Sequence, residues 1–389
     1  MPSAPSLCRF PLVALLAATC LTPAALAQQP PIRGEQPQST VDTFVPEPAG
    51  IEIETWVDSL SIPWSIVFLP NGDALIAERP GRIQRVPAGS RSPVEVASFD
   101  VVHDADIGLM GLAAHPDFAN RPFVYAMYAY RNGDNIFTRV VRLAYAPEKL
   151  TPEKVILDRI PSAIIHAGGR IAFGPDGMLY IGTGDTGHPP LAQDLHSLAG
   201  KILRLTPDGD VPADNPFPGS PVYSLGHRAV QGLAWDPATG AMFASEHGPS
   251  GFPQEGGVRN RDEINRILPG KNYGWPMVVG APGMPEYEDP IAMWPSHSVP
   301  PSGIAFYEGD LFVSTLRTQA LIRIRFGEDY AVDSIERWFA DNPNEGRLGR
   351  LRTVTAGPDG YIYVGTGNKD GKAALRPGDD RILRIRYTR

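Results

Sequence analysis

The sequence predicts an all-β protein, a six-bladed β-propeller with four-stranded antiparallel blades. Three observations support this fold: one short pattern recurs six times, glycine and proline are abundant, and no long amphipathic helical segment is evident. Gly and Pro contribute 40 and 41 of the 389 residues. That share is about a fifth, against an average of roughly 12%, and both residues disfavour long helices.

The recurring pattern is a short apolar stretch, a polar turn, and a second run in which apolar residues alternate. Asn-Gly and Asp-Gly pairs in several of these turns tolerate the positive φ angles that tight hairpins require. We therefore interpret each copy as a β-hairpin, and the six copies cover residues 66–78, 111–129, 170–185, 232–246, 303–315 and 353–368.

A third strand is predicted after several of these hairpins. The segments alternate basic and apolar residues, as half-buried strands do, and they are GRIQRV (81–86), GKILRL (200–205), ALIRIRF (320–326) and DRILRI (380–385). The hairpin turns lie about 46 to 72 residues apart, which suits a blade of roughly 40–50 residues with inserted loops. Two stacked β-sandwiches are the alternative, but six copies of one hairpin favour the propeller.

The first 27 residues differ from the rest of the chain. Arg9 is their only charged residue, an apolar stretch follows, and Ala25-Leu26-Ala27 has the form of a cleavage site. This pattern is typical of a secretory signal peptide. The alternative is a membrane anchor, although the stretch is of marginal length and is broken by Pro11 and Pro23. We expect cleavage after residue 27, no membrane insertion afterwards, and a periplasmic or secreted protein.

Composition also limits the domain organisation and the chemistry. Residues 28–49 are rich in Pro, Gln, Ser and Thr and predict a flexible leader, so residues 50–389 would form a single propeller domain. Cys8 and Cys20 both lie in the expected signal, which excludes a thiolate nucleophile, an iron–sulfur cluster and a c-type haem from the remainder. A net charge of −8 without a Lys/Arg run argues against nucleic-acid binding.

The third repeat contains a candidate acid–base pair. Propellers bind ligands at the mouth of the central channel, where loops of many blades converge. His166 opens this repeat and Asp185 closes it, so a hairpin would bring the imidazole and the carboxylate together. Such a carboxylate fixes the histidine tautomer and supports general-base catalysis. The same pair also occurs in metal sites and in purely structural roles, and the residues alone leave these alternatives open.

Two other groups of residues suggest ligand binding. The stretch 246–276 is dense in oxygen ligands that suit calcium, with Glu263 beside Gly- and Pro-containing turns; a solvated acidic loop is the alternative. Arg350 and Arg352 have the spacing that puts two side chains on one face of a strand. The pair suits a polycarboxylate ligand, while a solvated outer face is the alternative. Arg228, in the segment Gly226-His227-Arg228, is a third notable guanidinium group.

Several motifs together resemble those of the soluble quinoprotein aldose sugar dehydrogenases, which are related to soluble glucose dehydrogenase. They are HAGGR (166–170) with GD downstream, LGHR (225–228) followed by QGLA, SEHGP (245–249), DEINRI with NYGWP (262–276), PPSGIAFY (300–307) and GRLGRLR (346–352). The similarity runs from about Leu60 to Arg386. It implies a six-bladed propeller that carries pyrroloquinoline quinone and calcium and oxidises the anomeric carbon of aldose sugars to lactones, passing electrons to an external acceptor.

The resemblance also implies roles for individual residues around the quinone. His166 matches the catalytic base of the family and Asp185 the residue that orients it. Arg228 matches the arginine expected near the reactive quinone oxygen. The pair that holds the carboxylates of the cofactor matches Arg350 and Arg352, and a lysine of the family falls on Arg317, which keeps the charge but changes its geometry.

For calcium, the resemblance implies two sets of ligands. The carbonyl groups of Gly248 and Pro249 match those that bind the ion beside the cofactor. Glu263 and Tyr273 match a further calcium site of the family.

Two positions depart from the pattern of the family. Ala229 stands where an asparagine often follows the GHR motif, which removes an amide near the quinone. Asp106 stands where the family has a glutamine, and an acid that faces a tricarboxylate cofactor would be repelled unless it is protonated or turned away. These two positions support one alternative, a carbohydrate-binding propeller without cofactor. The other alternative is a calcium-dependent propeller hydrolase such as a lactonase.

Overall fold

A computed structural model of the chain describes Met1 and residues 30–387, so the expected signal peptide, with Cys8 and Cys20, lies outside the described residues apart from Met1. Within residues 30–387, six sheets with four antiparallel strands each stand as blades in a ring, and one of them has a parallel fifth strand at its outer edge. Neighbouring blades contact one another through their innermost strands, and the last blade contacts the first. The prediction of a six-bladed β-propeller is confirmed.

Three strands precede the first complete blade: β1 (Ile32–Arg33), β2 (Asp42–Val45) and β3 (Ile51–Val57). Blade 1 consists of β4 (Pro63–Phe68), β5 (Ala74–Glu78), β6 (Arg82–Val86) and β7 (Val94–Ser98). Blade 2 has longer strands, which are β8 (Leu109–Ala114), β9 (Phe123–Asn132), β10 (Asn135–Ala146) and β11 (Lys149–Ser162). Blade 3 consists of β12 (Gly168–Phe173), β13 (Leu179–Thr183), β14 (Lys201–Leu205) and β15 (Val222–Leu225).

Blade 4 consists of β16 (Val230–Trp235), β17 (Met242–Glu246), β18 (Asp262–Ile267) and, after the two-residue β19 (Val278–Val279), β20 (Ala292–Trp294). Blade 5 is formed by β21 (Pro301–Tyr307), β22 (Asp310–Thr315), β23 (Leu321–Phe326) and β24 (Val332–Trp338). Blade 6 contains β25 (Leu351–Ala356), β26 (Ile362–Thr366) and β27 (Ile382–Tyr387). The helices of the described residues are short 3₁₀ turns at Pro189–Ala192, Pro253–Glu255, Glu328–Tyr330 and Asn368–Asp370.

All six predicted hairpins fall in separate sheets, and each forms the two innermost strands of its blade. The predicted third strands are β6, β14, β23 and β27. Strand β3 supplies the fourth strand of blade 6 by antiparallel pairing with β27. The ring is therefore closed by residues that precede blade 1 in the sequence.

The segment predicted as a flexible leader contains strands β1 and β2, which pair in parallel with β19 and β24. Asp42 accepts a hydrogen bond from Trp294 Nε1 and forms an ion pair with the buried Arg337. The structure differs from the prediction here because the outer edge of β24 and a buried guanidinium offer partners that the composition of the segment does not reveal.

Glycines let the innermost strands pack closely around the central channel. A Cβ atom added to Gly111 would lie 2.6 Å from the carbonyl oxygen of Gly169 on the next blade, and one added to Gly303 would lie 2.9 Å from Val354 N. Apolar clusters fill the space between blades, one of them around the fully buried Trp64. No helix of the described residues is long and apolar enough to cross a membrane.

Candidate active site

The sequence-predicted site residues gather at one end of the central channel. Each innermost strand begins at this end, and its antiparallel partner ends there, so the flanking residues of every hairpin converge. One pocket at this end contains five of the predicted residues, namely Asp106, Gly248, Pro249, Arg317 and Arg350. The site is thus assembled from segments that are far apart in the chain.

His166 and Asp185 form the hydrogen-bonded pair that the hairpin predicts. His166 Nδ1 lies 2.8 Å from Asp185 Oδ1, and both side chains are buried. The second carboxylate oxygen of Asp185 accepts a 2.8 Å hydrogen bond from Trp275 Nε1, while the backbone N–H of Gly187 donates to the first. Asp185 is therefore fixed from three directions and holds the imidazole in one orientation.

On its other side, His166 contacts Arg228. The distance from His166 Nε2 to Arg228 Nη2 is 2.7 Å. A guanidinium group can only donate, so Nε2 carries the lone pair and Nδ1 carries the proton that is donated to Asp185. This tautomer is a neutral imidazole whose acceptor nitrogen is occupied by the arginine.

The electrostatics of Asp185 agree with this assignment. Burial by itself would raise the pKa of Asp185, but the hydrogen bond and charge of His166, together with the charge of Arg228, outweigh burial and leave the pKa below its usual value. The carboxylate is thus ionised at neutral pH.

The lowered pKa of Asp185 predicts that this pair loses its contribution to stability in acid. The folded-state pKa lies below the value of about 3.9 in an unfolded chain, so the stabilisation is complete above that pH and is lost as the pH falls through the folded pKa. Between about pH 5 and pH 2, the free energy of unfolding should therefore fall less steeply for Asp185→Asn than for the wild type. Urea titrations at several pH values measure this slope.

The exposed Asp134, in the β9–β10 turn, provides the control for that experiment. Asp134→Asn should keep the wild-type slope. If the slope for Asp185→Asn also equals that of the wild type, the carboxylate of Asp185 is not the group that titrates.

Arg228 is held by a further acid that the sequence did not reveal. Its Nε lies 2.7 Å from the buried Glu255, its Nη1 donates to the carbonyl of His247, and its Nη2 also donates to Ser250 Oγ. The other oxygen of Glu255 accepts backbone N–H groups from residues 250, 251 and 252. Nothing in the sequence marks Glu255, because it ends a short 3₁₀ turn in a loop that belongs to no repeat.

Arg350 and Arg352 flank the buried Leu351 at the start of β25, and both are buried. Arg350 Nε lies 2.7 Å from Asp370. Arg352 Nη1 is 3.4 Å from Gln231 Oε1, whereas its Nε has no partner among the described residues. Burial and the neighbouring charge of Arg350 lower the pKa of Arg352 to about 10. The two arginines thus retain spare donor capacity.

Arg79 joins this cluster and was not predicted. Its charge and that of Arg350 both act on Arg352. Arg79 Nε contacts His103 Nε2 at 3.2 Å, and its Nη1 is buried without a partner among residues 30–387. Arg79 directly follows the second strand of blade 1. In the sequence, this position after a predicted hairpin was the only indication that it could belong to the site.

Asp106 lies in the pocket among these cations. Burial would raise the pKa of Asp106, but Lys372 at 3.3 Å and the charge of Arg352 lower it below its usual value. Asp106 is therefore an ionised acid on the pocket wall, neither protonated nor turned away.

Arg317 is exposed at the rim of the same pocket. Ala229 is buried, and its carbonyl accepts the backbone N–H of His247.

The four residues expected to bind calcium lie together. A small cavity of about 10 Å³ is lined by Gly248, Pro249, Glu263 and Tyr273, and Gly248 and Pro249 also line the main pocket. Such a volume holds about one water-sized occupant. Burial and the charge of Glu246, its cross-strand neighbour, raise the pKa of Glu263 well above its usual value.

Other features limit how a cation could bind there. The hydroxyl of Tyr273 donates to the carbonyl of Arg266 and accepts the N–H of Leu268, so only the backbone of Tyr273 is available as a ligand. In the described part of the chain, no group of three or more His, Cys, Asp or Glu side chains could hold a metal ion. A site here would therefore depend on backbone carbonyl groups.

Comparisons with known proteins show similarity to sugar dehydrogenases along most of the chain. The family model described as "Glucose / Sorbosone dehydrogenase" matches residues 60–376. The aldose sugar dehydrogenase YliI of Escherichia coli is 33% identical over 84% of this chain and 92% of its own length. An uncharacterised protein of Synechocystis is 34% identical over 87% of this chain and 89% of its own. The PQQ-bound structure of aldose sugar dehydrogenase from Streptomyces coelicolor is 41% identical, has a TM-score of 0.77, and covers 88% of this chain and 99% of that one.

Proposed function

Because this chain belongs to the glucose/sorbosone dehydrogenase family, we propose that it uses pyrroloquinoline quinone to oxidise the anomeric carbon of aldose sugars to lactones. Membership of the family makes it a sugar oxidoreductase. One observation carries the finer proposal: beside the pocket, Arg79 and Arg352 have buried donors without partners among the described residues. On its other side, Ser250 of the pocket wall contacts Arg228, which in turn contacts a His166 oriented by the ionised Asp185. We further propose that the enzyme is periplasmic or secreted and that an external acceptor takes its electrons.

The residues present fit a tricarboxylate quinone. Arg79 Nη1 and Arg352 Nε are buried donors without partners among the described residues, and Arg350 lies beside them. Asp106 and Asp370 offset only part of this positive charge. Carboxylates of a bound ligand would satisfy the donors through charge-assisted hydrogen bonds. Arg317 and Lys372 add positive charge at the wall of the pocket. Arg79, Arg350 and Arg352 would hold the cofactor from one side.

The proposed calcium ligands also suit that ion. Calcium prefers carboxylate and carbonyl oxygens in irregular loops, and Gly248 and Pro249 lie between the pocket and the small cavity. We assign their carbonyl groups to the calcium beside the cofactor. Glu263 and the backbone of Tyr273 would bind a further ion, whose charge would relieve the repulsion between the neighbouring carboxylates of Glu246 and Glu263.

In the proposed mechanism, His166 accepts the proton of the anomeric hydroxyl at Nε2. Asp185 stabilises the imidazolium that forms, because its carboxylate is ionised and hydrogen-bonded to Nδ1. When bound, the quinone supplies the acceptor for the hydride of the anomeric C–H bond.

Arg228 contributes through its charge. The sugar hydroxyl has to replace the Arg228 contact at His166 Nε2, and Glu255 and Ser250 keep the guanidinium beside the site when it does so. The guanidinium can then stabilise negative charge that develops during oxidation. Its charge also repels the protonated imidazole, which favours return of the proton to solvent.

A reconstitution experiment tests this function. The purified chain is incubated with pyrroloquinoline quinone and Ca²⁺, and the reduction of an electron-accepting dye is followed after D-glucose and other aldoses are added. We expect dye reduction only when quinone and sugar are both present, and its loss after a chelator removes calcium. Sugar binding without dye reduction would favour the cofactor-free binding propeller, and hydrolysis of lactones without quinone would favour the hydrolase.

Glu255→Gln should lower kcat by about 10-fold or more and leave quinone affinity unchanged. The substitution keeps the shape of the side chain but removes the charge that holds Arg228, and a charge-assisted hydrogen bond contributes roughly 1.5–3 kcal/mol. Steady-state kinetics separate kcat from KM, and thermal unfolding reports on the fold. A positioning role predicts that kcat falls while the melting temperature stays within a few degrees of the wild type.

The Glu153–Arg142 pair on blade 2 offers a control away from the site. It joins the same residue types with an N···O distance of 2.6 Å, and its glutamate is more exposed than Glu255. Glu153→Gln should leave kcat unchanged. Equal kcat values for Glu255→Gln and Glu153→Gln would show that Glu255 does not act through Arg228.

A further inference from the structure

The central channel contains a second cavity, separate from the pocket described above. It has a volume of about 270 Å³, and the innermost strands of all six blades line it. Its walls are apolar residues, glycine and threonine, and the one ionisable side chain among them is Arg170 on β12. A single buried cation in an otherwise uncharged chamber requires an explanation, because burial of an unpaired charge is unfavourable.

The guanidinium of Arg170 is held firmly but is not fully paired. The residue is only 8% exposed, its Nε donates to the carbonyl of Gln231 at 2.9 Å, and the group stacks 4.1 Å from the centre of the Trp64 ring. Its Nη2 has no hydrogen-bond partner among the described residues. A Cβ atom added to Gly303 would lie 3.3 Å from Nη2. The unpaired nitrogen therefore extends across the channel, from blade 3 to blade 5.

No carboxylate of the described residues compensates this charge. Burial, and then the like charge of Arg352, lower the pKa of Arg170 to about 9, and no acid is among the groups that act on it. The aromatic face of Trp64 attracts a cation without neutralising it. Arg170 consequently remains protonated at neutral pH and keeps at least one N–H directed into the cavity.

The channel wall adds further donors. Each innermost strand pairs with a neighbour on one side only, so the N–H and C=O groups of its other edge face the channel. Backbone N–H groups and a guanidinium are together the usual ligands of a small anion. The cavity contains no second cation that could pair with a dianion, so a monovalent anion matches its charge.

We propose that Arg170 and the surrounding strand edges bind one small monovalent anion of the halide class in the central channel. The site is separate from the His166 site and from the proposed calcium ligands. It is close enough to the proposed cofactor site for the charge of Arg352 to act on Arg170, and Gln231 contacts both arginines. The bound anion would neutralise the one charge that the six blades enclose here without a partner.

Bromide locates such a site directly. Crystals of the unmodified chain, grown without halide and without quinone, are soaked in sodium bromide, and anomalous scattering at the bromine edge is measured. We expect a peak within hydrogen-bond distance of Arg170 Nη2. No peak in the channel, or peaks only beside Arg79, Arg350 and Arg352, would overturn the proposal.

Thermal unfolding tests the same site in solution. At constant ionic strength, replacement of isethionate by chloride should raise the melting temperature of the wild type by about 2–6 °C, with saturation. Arg170→Met should lose this dependence. Arg384→Met removes a surface arginine that pairs with Glu54 and Asp359. The melting temperature of this control variant should still depend on chloride.

A chloride effect that persists in Arg170→Met would contradict the proposal. If that variant does not fold, the bromide measurement still decides the matter, because it uses the unmodified chain.

Discussion

His166→Ala is expected to slow reduction of the quinone by sugar roughly 10²- to 10⁴-fold, the usual contribution of a positioned general base. The reason lies in the pairing of the imidazole. Asp185 accepts the hydrogen bond of Nδ1–H, so the imidazole is neutral and Nε2 carries its lone pair, whereas the adjacent Arg228 has no lone pair to offer. Single-turnover bleaching of the oxidised quinone, with excess aldose and no dye, measures the step itself.

The fold and the quinone affinity of His166→Ala should be close to those of the wild type, because the proposed contacts to the cofactor come from other blades. His196, an exposed histidine of blade 3, provides the control, and His196→Ala should react at the wild-type rate. A wild-type rate in His166→Ala would remove His166 from the mechanism. The role of base would then pass to another acceptor, with the ionised Asp106 as the first candidate.

Replacement of both Arg350 and Arg352 by alanine should weaken quinone binding about 10²- to 10⁴-fold. Each arginine would supply at least one charge-assisted hydrogen bond of roughly 1.5–3 kcal/mol to a carboxylate of the cofactor. Within residues 30–387, Arg352 Nε is buried without a partner, so a ligand gains this bond without breaking another. Equilibrium titration of the chain with quinone measures the affinity, and circular dichroism reports whether the variant folds.

Arg317 allows a matched comparison within the same pocket. It is exposed at the rim, where screening by water weakens the attraction between charges, so Arg317→Ala should lower quinone affinity less than 10-fold. An unchanged affinity in a folded Arg350→Ala/Arg352→Ala variant would contradict the assignment of these two residues to the cofactor.

The propeller could be predicted from the sequence because its blades repeat a local signal. A hairpin is encoded within about 15 residues by its turn and by the alternation of apolar and polar residues along its strands. The sequence contains six such patterns, one for each blade. Strand β3 gave no comparable signal. It completes blade 6 through pairing with β27, more than 300 residues away in the chain, and no local pattern encodes that distance.

The candidate site also contains some residues that the sequence could predict and others that it could not. His166 and Asp185 could be paired from sequence, because they occupy the two ends of one hairpin. Glu255 and Arg79 could not be found, because their importance depends on contacts that no repeat encodes: Glu255 with Arg228 between two loops of blade 4, and Arg79 with Arg350 and Arg352 across blades. The ionised state of Asp106 likewise depends on Lys372 and Arg352, which reach it from another blade. Burial and long-range charge are properties of the assembled ring.

The most direct test of the account is the ultraviolet–visible spectrum of the purified chain with one equivalent of pyrroloquinoline quinone and excess Ca²⁺, recorded without oxygen before and after D-glucose is added. We predict a spectrum of bound oxidised quinone that differs from that of the free compound, and its conversion to the reduced form when the sugar is added. A spectrum identical to that of free quinone, or a bound spectrum that no aldose changes, would contradict the claim that this chain is a quinone-dependent sugar dehydrogenase.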